Sequence, residues 1–161
     1  MLIRQAQVSD FPRILEINAT EEEKTSRIDL ARITQLDSCS DYHSVVAVED
    51  VIIGFLLVMS EASDYDGDNF RWFVERYSRF LYVDRIVIDR TFARCGAGTA
   101  LYSDLIKFAA TQSWSTLCCE INVSPPNPVS HAFHAGFGFK EVGRSGAAGA
   151  PKVVSYQVTE I

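Results

Sequence analysis

Apolar residues along this chain recur with two periods, and the switches between them predict its elements. Short, almost unbroken apolar runs bounded by Gly, Pro, Asn or Asp mark strands at 2–7, 44–49, 52–60, 81–88, 116–123, just after Gly138, and 152–158. Asp50-Val51, between the second and third runs, predicts a hairpin turn. Helical spacing replaces this pattern elsewhere. A helix is predicted from Asp10, with Pro12 in its first turn and Ile14, Leu15 and Ile17 on its apolar face. Others are predicted at 27–36 and near 70–78. The clearest covers 99–112, where Leu101, Leu105, Ile106, Phe108 and Ala109 recur. A short helix over 128–135 has Asn127 as its N-cap and Pro128 at its first position. The order β-α-α-β-β-loop-β-α-β-α-β-β predicts an α/β fold: a single domain over 1–161, with a mixed central sheet flanked by helices.

One stretch fits neither period. Residues 61–80 combine an acidic run (Asp64, Asp66, Asp68) with Tyr65, Phe70, Trp72, Phe73 and Tyr77. Connections this long usually carry function or a helix of their own, so the segment is expected to wall an acceptor site, with most of its aromatics anchoring it to the core. The spaced aspartates are followed by Asn69 where a calcium loop requires its glycine, which argues against that reading.

Charge and cysteine content narrow the functions. A formal net charge of −6 argues against nucleic acid as a partner. No apolar stretch is long enough to cross a membrane, and the N-terminus reads as a strand and not as a signal peptide. Cys39, Cys95, Cys118 and Cys119 show no paired metal-binding spacing, and the three histidines are scattered, so no metal is expected. All four cysteines read as reduced thiols of a cytoplasmic protein.

The chemistry concentrates in two segments. In Ile86-Val87-Ile88-Asp89-Arg90-Thr91-Phe92-Ala93-Arg94-Cys95-Gly96-Ala97-Gly98-Thr99 an apolar strand enters a glycine turn and a helix follows at once. Glycine lets the backbone approach a ligand, and the free N–H groups of a helix start attract phosphate. No third glycine of a dinucleotide fingerprint and no Gly-Lys-Ser/Thr follows. The second segment is Asn127-Pro128-Val129-Ser130-His131-Ala132-Phe133-His134-Ala135-Gly136-Phe137-Gly138-Phe139.

Together the two resemble the GCN5-related N-acetyltransferase (GNAT) superfamily. The first is similar to its Q/R-x-x-G-x-G/A pyrophosphate loop, with Gly96 and Gly98 as the glycines. The second is similar to its N-x-x-A/S-x-x-F-Y-x-x-x-G-F segment, matched by Asn127, Ser130, Phe133, Gly138 and Phe139. Two positions depart: Ala93 stands at the Q/R site, with Arg94 beside it, and His134 stands where the family's tyrosine acid is usual.

The resemblance implies an acyl-CoA N-acyltransferase fold and an enzyme that moves an acetyl group directly from acetyl-CoA to a primary amine of a small molecule, amino acid or peptide. Ile86, Val87 and Ile88 would bind the pantetheine arm and acetyl carbonyl through their backbone. Arg94, Cys95, Gly96, Ala97, Gly98 and Thr99 would surround the pyrophosphate, and Asn127 would serve the pantetheine side. His134 is the candidate general acid. Glu120 is the candidate base, ahead of Asp84, whose neighbour Arg85 suggests a structural ion pair. A homodimer through the last strands is also implied. The competing readings are a non-catalytic acyl-CoA-binding regulatory module and a nucleotide-binding protein unrelated to coenzyme A.

Overall fold

A hairpin forms around Asp50 in a computed structural model, which describes residues 1–21, 24–147 and 149–161. The hairpin's turn is Glu49-Asp50 and not the expected Asp50-Val51, since Val51 already pairs with Val48. The strands are β1 (Leu2–Gln5), β2 (Tyr42–Val48), β3 (Val51–Ser60), β4 (Leu81–Ile88), β5 (Thr116–Ser124), β6 (Lys140–Arg144) and β7 (Val153–Glu160). The α-helices are α1 (Phe11–Ala19), α2 (Leu30–Cys39), α3 (Asp68–Val74), α4 (Ala97–Thr111) and α5 (Pro128–Gly136). The strands form one sheet in the order β1-β2-β3-β4-β5-β7-β6, antiparallel throughout except for the parallel pair β4–β5.

Each sheet face buries its own apolar cluster. On one side α1, α2 and α3 place Phe11, Ile14, Ile17, Ile33, Leu36, Phe70 and Phe73 against Phe55, Leu57, Tyr82 and Cys118. On the other, α4 brings Leu101, Tyr102, Leu105 and Ala109 against Leu56, Val58, Val83 and Cys119, with Phe133 and Phe137 of α5 packed alongside. Adjacent Cys118 and Cys119 therefore face opposite layers, as strand alternation requires.

Local hydrogen bonds account for the boundaries that differ from the sequence pattern. β1 ends at Gln5 because the Gln7 amide donates to Asp10, 2.8 Å away, and turns the chain into a short 3-10 helix over Val8–Asp10. The second helix begins at Leu30, three residues later than expected, because Asp29 caps it by accepting from the Arg32 amide at 2.8 Å. β2 starts at Tyr42, two residues ahead of the expected 44, where Tyr42 pairs with Val58 and gives its hydroxyl proton to Asp104. The helix in the 61–80 stretch lies at Asp68–Val74 rather than 70–78.

The β2–β3 turn places Glu49 and Asp50 at φ 48° and 65°, the left-handed pair that a two-residue hairpin demands and that Asn-Gly fits better. The double substitution Glu49→Asn/Asp50→Gly is expected to stabilise the protein by about 1 kcal/mol, read as a higher urea midpoint with an unchanged slope.

Candidate active site

The parallel strands at the middle of the sheet part company almost at once. β4 and β5 pair only at Leu81–Leu117 and Tyr82–Cys118. Beyond that, β4 runs on to Ile88 and β5 to Ser124 with no ladder between them. The β5-facing amides and carbonyls of residues 83–88 thus lack a strand partner, and such groups must find water or a ligand. A bulge sharpens the divergence: Val58 pairs with Val83 and Leu57 with Arg85, leaving Asp84 unpaired between them.

α4 starts beside the open end of β4. Gly96 caps it at φ +87°, and no atom lies within 4 Å of where its Cβ would stand. Arg94 also has a positive φ of 65°. Arg94, Cys95, Gly96 and Thr99 are exposed, whereas Ala97 is buried under the helix. Among the described residues, the amides of Gly96, Ala97, Gly98 and Thr99 donate to no protein acceptor. Gly98 serves packing: a Cβ there would sit 3.3 Å from Phe133 and 3.8 Å from Ile86, so the glycine lets α5 and β4 close on the helix start. An uncovered left-handed glycine followed by free amides, next to a split sheet, fits a pyrophosphate with an extended arm. Ile86 and Ile88 pack toward α4, and Val87 packs on the α1 side, so their side chains are occupied and only their backbone is available to a ligand. Asn127 caps α5 by accepting from the Ser130 amide at 3.3 Å, while its own amide donates to the Asn122 carbonyl.

The α1–α3 side of the split carries the polar groups. Tyr82 donates its hydroxyl to Glu120 Oε2 at 2.6 Å. Burial pushes the Glu120 carboxyl up to about 7; the Tyr82 hydrogen bond opposes this and the charge of Asp84 adds to it. The bulge turns Asp84 and Arg85 to the same face, although neighbours on a regular strand would point apart. Asp84 accepts from the Tyr65 hydroxyl and from Arg85 Nε at 2.7 Å. The buried guanidinium then reaches Asn18 of α1 and both the carbonyl and hydroxyl of Ser26, at 3.0–3.1 Å. Asn122 also donates to the Lys24 carbonyl, so both central strands tether the loop after α1. The expected Asp84–Arg85 ion pair forms, but sequence spacing gave no sign of Tyr65, Asn18 and Ser26 around it, because the bulge that assembles the cluster has no residue signature.

His134 lies on the opposite side, buried between α5 and α4. Its Nδ1 is 2.8 Å from the Ser130 carbonyl, which can only accept, so the ring proton sits on Nδ1. Nε2 therefore accepts the Tyr102 hydroxyl at 2.7 Å. Burial pulls this imidazole down to about 4. The structure brings Glu120 to Tyr82 and His134 to Tyr102, on opposite faces of the sheet.

The family model for the acetyltransferase (GNAT) family matches residues 3–139, and the chain belongs to that family. The fold and the family define an N-acetyltransferase. Among solved structures, the chain is similar to the ribosomal-protein-alanine N-acetyltransferase of Brucella melitensis, with 20% identity, full coverage of both chains and a TM-score of 0.75. It is similar to the ribosomal-protein-S18-alanine N-acetyltransferase of Escherichia coli, with 15% identity over 99% of this chain and 93% of that one and a TM-score of 0.73. It is also similar to yncA of Salmonella typhimurium, solved with acetyl-CoA, with 18% identity over 99% and 93% and a TM-score of 0.72. No curated protein matches the sequence. Among the described residues, no cluster of His, Cys, Asp and Glu is placed to hold a metal ion, and no helix is long and apolar enough to cross a membrane.

The two shifted groups act oppositely on stability. His134 charges below 6.5 when unfolded but stays neutral to about 4 when folded. Its contribution is complete above pH 6.5 and drains as pH falls toward 4, by at most about 3 kcal/mol. Glu120 keeps its proton up to about 7 when folded, against 4.5 ordinarily, so its contribution is complete below 4.5 and drains as pH rises toward 7. Urea midpoints across this range should therefore fall more steeply on acidification in Glu120→Gln than in the wild type, and less steeply in His134→Gln. Identical profiles for all three proteins would contradict both shifts.

Proposed function

We propose that this protein acetylates a primary amine of a small molecule, amino acid or peptide, with acetyl-CoA seated in the β4–β5 split and Glu120 as the general base. The observation that carries the reading is a partly buried carboxylate, titrating at about 7, on the sheet face that the loop after α1 covers. A base poised near the working pH takes a proton readily and is still ionised often enough to do so.

Acetyl-CoA, when bound, supplies an acyl group activated as a thioester. The amides of Gly96, Ala97, Gly98 and Thr99 hold its pyrophosphate, with Arg94 and Cys95 flanking, and the free backbone of Ile86, Val87 and Ile88 lines the arm. Asn127 shapes the other wall by fixing the start of α5. Glu120 removes a proton from the acceptor ammonium, and Tyr82 steadies the carboxylate meanwhile. The neutral nitrogen then attacks the acyl carbon and gives its second proton to solvent as the carbon–sulfur bond breaks, and the thiolate leaves with a proton from solvent. The role of proton donor expected for His134 passes to solvent in this scheme, because the only ring proton at neutral pH is already given to Ser130. His134 holds Tyr102 and the wall that α5 forms. The names of the ribosomal-protein-alanine N-acetyltransferases among the structural relatives favour a peptide N-terminus as acceptor. Free thiols at Cys39, Cys95, Cys118 and Cys119 suit a reducing cytoplasm, and a homodimer through the last strands would use the outer edge of β6.

Thiol release from acetyl-CoA, measured with free amino acids, polyamines and hexapeptides bearing free α-amino groups, tests the proposal. Turnover is expected with at least one class, and intact coenzyme A binding with no turnover would favour the non-catalytic module. Gly96→Glu should abolish coenzyme A binding in calorimetry, since it adds bulk and negative charge at a backbone held at φ +87°; unchanged affinity would remove the loop assignment. Glu120→Gln should lower kcat by about a hundredfold or more while leaving acetyl-CoA affinity in place.

A further inference from the structure

The segment 61–80 has so far only been a wall, yet α3 is docked more tightly than a wall requires. Phe70 and Phe73 are buried in the core. Trp72 stacks on Tyr156 of β7, with centroids 4.2 Å apart and planes 16° from parallel, and the Arg76 guanidinium covers it at 4.2 Å. Gly143 of β6 makes room for this indole, since a Cβ there would lie 2.6 Å from Trp72 Cζ2. The result holds the first turn of α3 over the strand pair β5–β7.

Tyr156 stands directly across from Glu120 in the β5–β7 register. Its hydroxyl donates to Asn69 Oδ1 at 3.0 Å. That bond decides which way the amide faces: the oxygen end is taken by Tyr156, so the NH2 end is the one left to meet Glu120, the residue opposite Tyr156 on the neighbouring strand.

From this chain of contacts we infer that Asn69 is a positioning residue for Glu120, its amide oriented by Tyr156 and donated to the carboxylate opposite Tyr82. The catalytic meaning of the inference rests on the reading of Glu120 as base. Glu120 is thereby gripped from two elements: Tyr82 on β4, and Asn69 on α3 with Tyr156 of β7 behind it. The other titratable groups that act on it or feel its charge are Asp84 beside Arg85 on β4, Tyr65 ahead of α3, and Cys118 and Cys119 on its own strand. An amide donor favours the ionised carboxylate, so its loss must raise the pH at which Glu120 gives up its proton.

The test reads Glu120 directly, by carbon-13 NMR titration of carboxyl-labelled glutamate, with Glu120→Gln used to assign the signal. In Asn69→Ala the midpoint should rise by about half a unit to one unit, the worth of one hydrogen bond to a carboxylate. Tyr156→Phe should move it the same way by less. Asn69→Asp, which keeps the size of the side chain but turns a second carboxylate toward Glu120, should raise it further. A midpoint unmoved in both Asn69→Ala and Asn69→Asp, in protein with wild-type near-ultraviolet circular dichroism, would overturn the inference. Turnover by Glu120→Gln with the acceptor panel separates the two claims. Full activity there would discard Glu120 as the base, while the titration would still decide whether Asn69 controls it.

Discussion

The structure depends on two strands that begin parallel and then separate. β4 and β5 share two residue pairs and diverge for the rest of their length, which leaves a sheet interior lined by unpaired backbone. Such an opening is costly unless its rims are held. β3 supports one rim along nearly all of β4, and β7 supports the other along β5. The helices divide the remaining work. α4 and α5 close one face and bring a free helix start to the open end, while α1, α2 and α3 close the other, over the ionisable groups of β4 and β5.

The two faces are electrostatically different, and this decides which residues can do chemistry. On the α4 side a histidine is sealed between apolar rings, and both its nitrogens are used by Ser130 and Tyr102. Desolvation without an anion nearby keeps that ring neutral. On the α3 side a carboxylate accepts from a phenol and is pushed up only to about 7. Burial acts on both groups, yet it removes a proton from one and retains a proton on the other, because it always disfavours the charged form.

The buried ion pair Asp84–Arg85 links the loop after α1 to the sheet. Breaking such a pair by removing one member leaves an uncompensated charge, typically at a cost of about 3–5 kcal/mol. Here the same guanidinium also ties down Asn18 and Ser26, so the loop after α1 inherits its position from a strand bulge.

Much of this was written in the chain itself. Strand runs and helical spacing stated the element order, because period and turn residues are local properties. Gly96, Gly98 and Asn127 announced a glycine turn into a helix start and a helix cap for the same reason: each acts through its own backbone or its nearest neighbours. Glu120 stood out as a charge in an apolar strand. What the sequence could not state was partnership. Asn69 lies far from Glu120 along the chain, and only the packing of Trp72 on Tyr156 brings them together. The bulge at Asp84 turns two adjacent side chains to one face, against the alternation that any reading of the strand must assume. His134 departs from its motif position, and its chemistry follows from Tyr102, 2.7 Å away but 32 residues distant in the chain. Residue type supplies a functional group; burial and the neighbours that folding selects determine whether it holds or gives a proton.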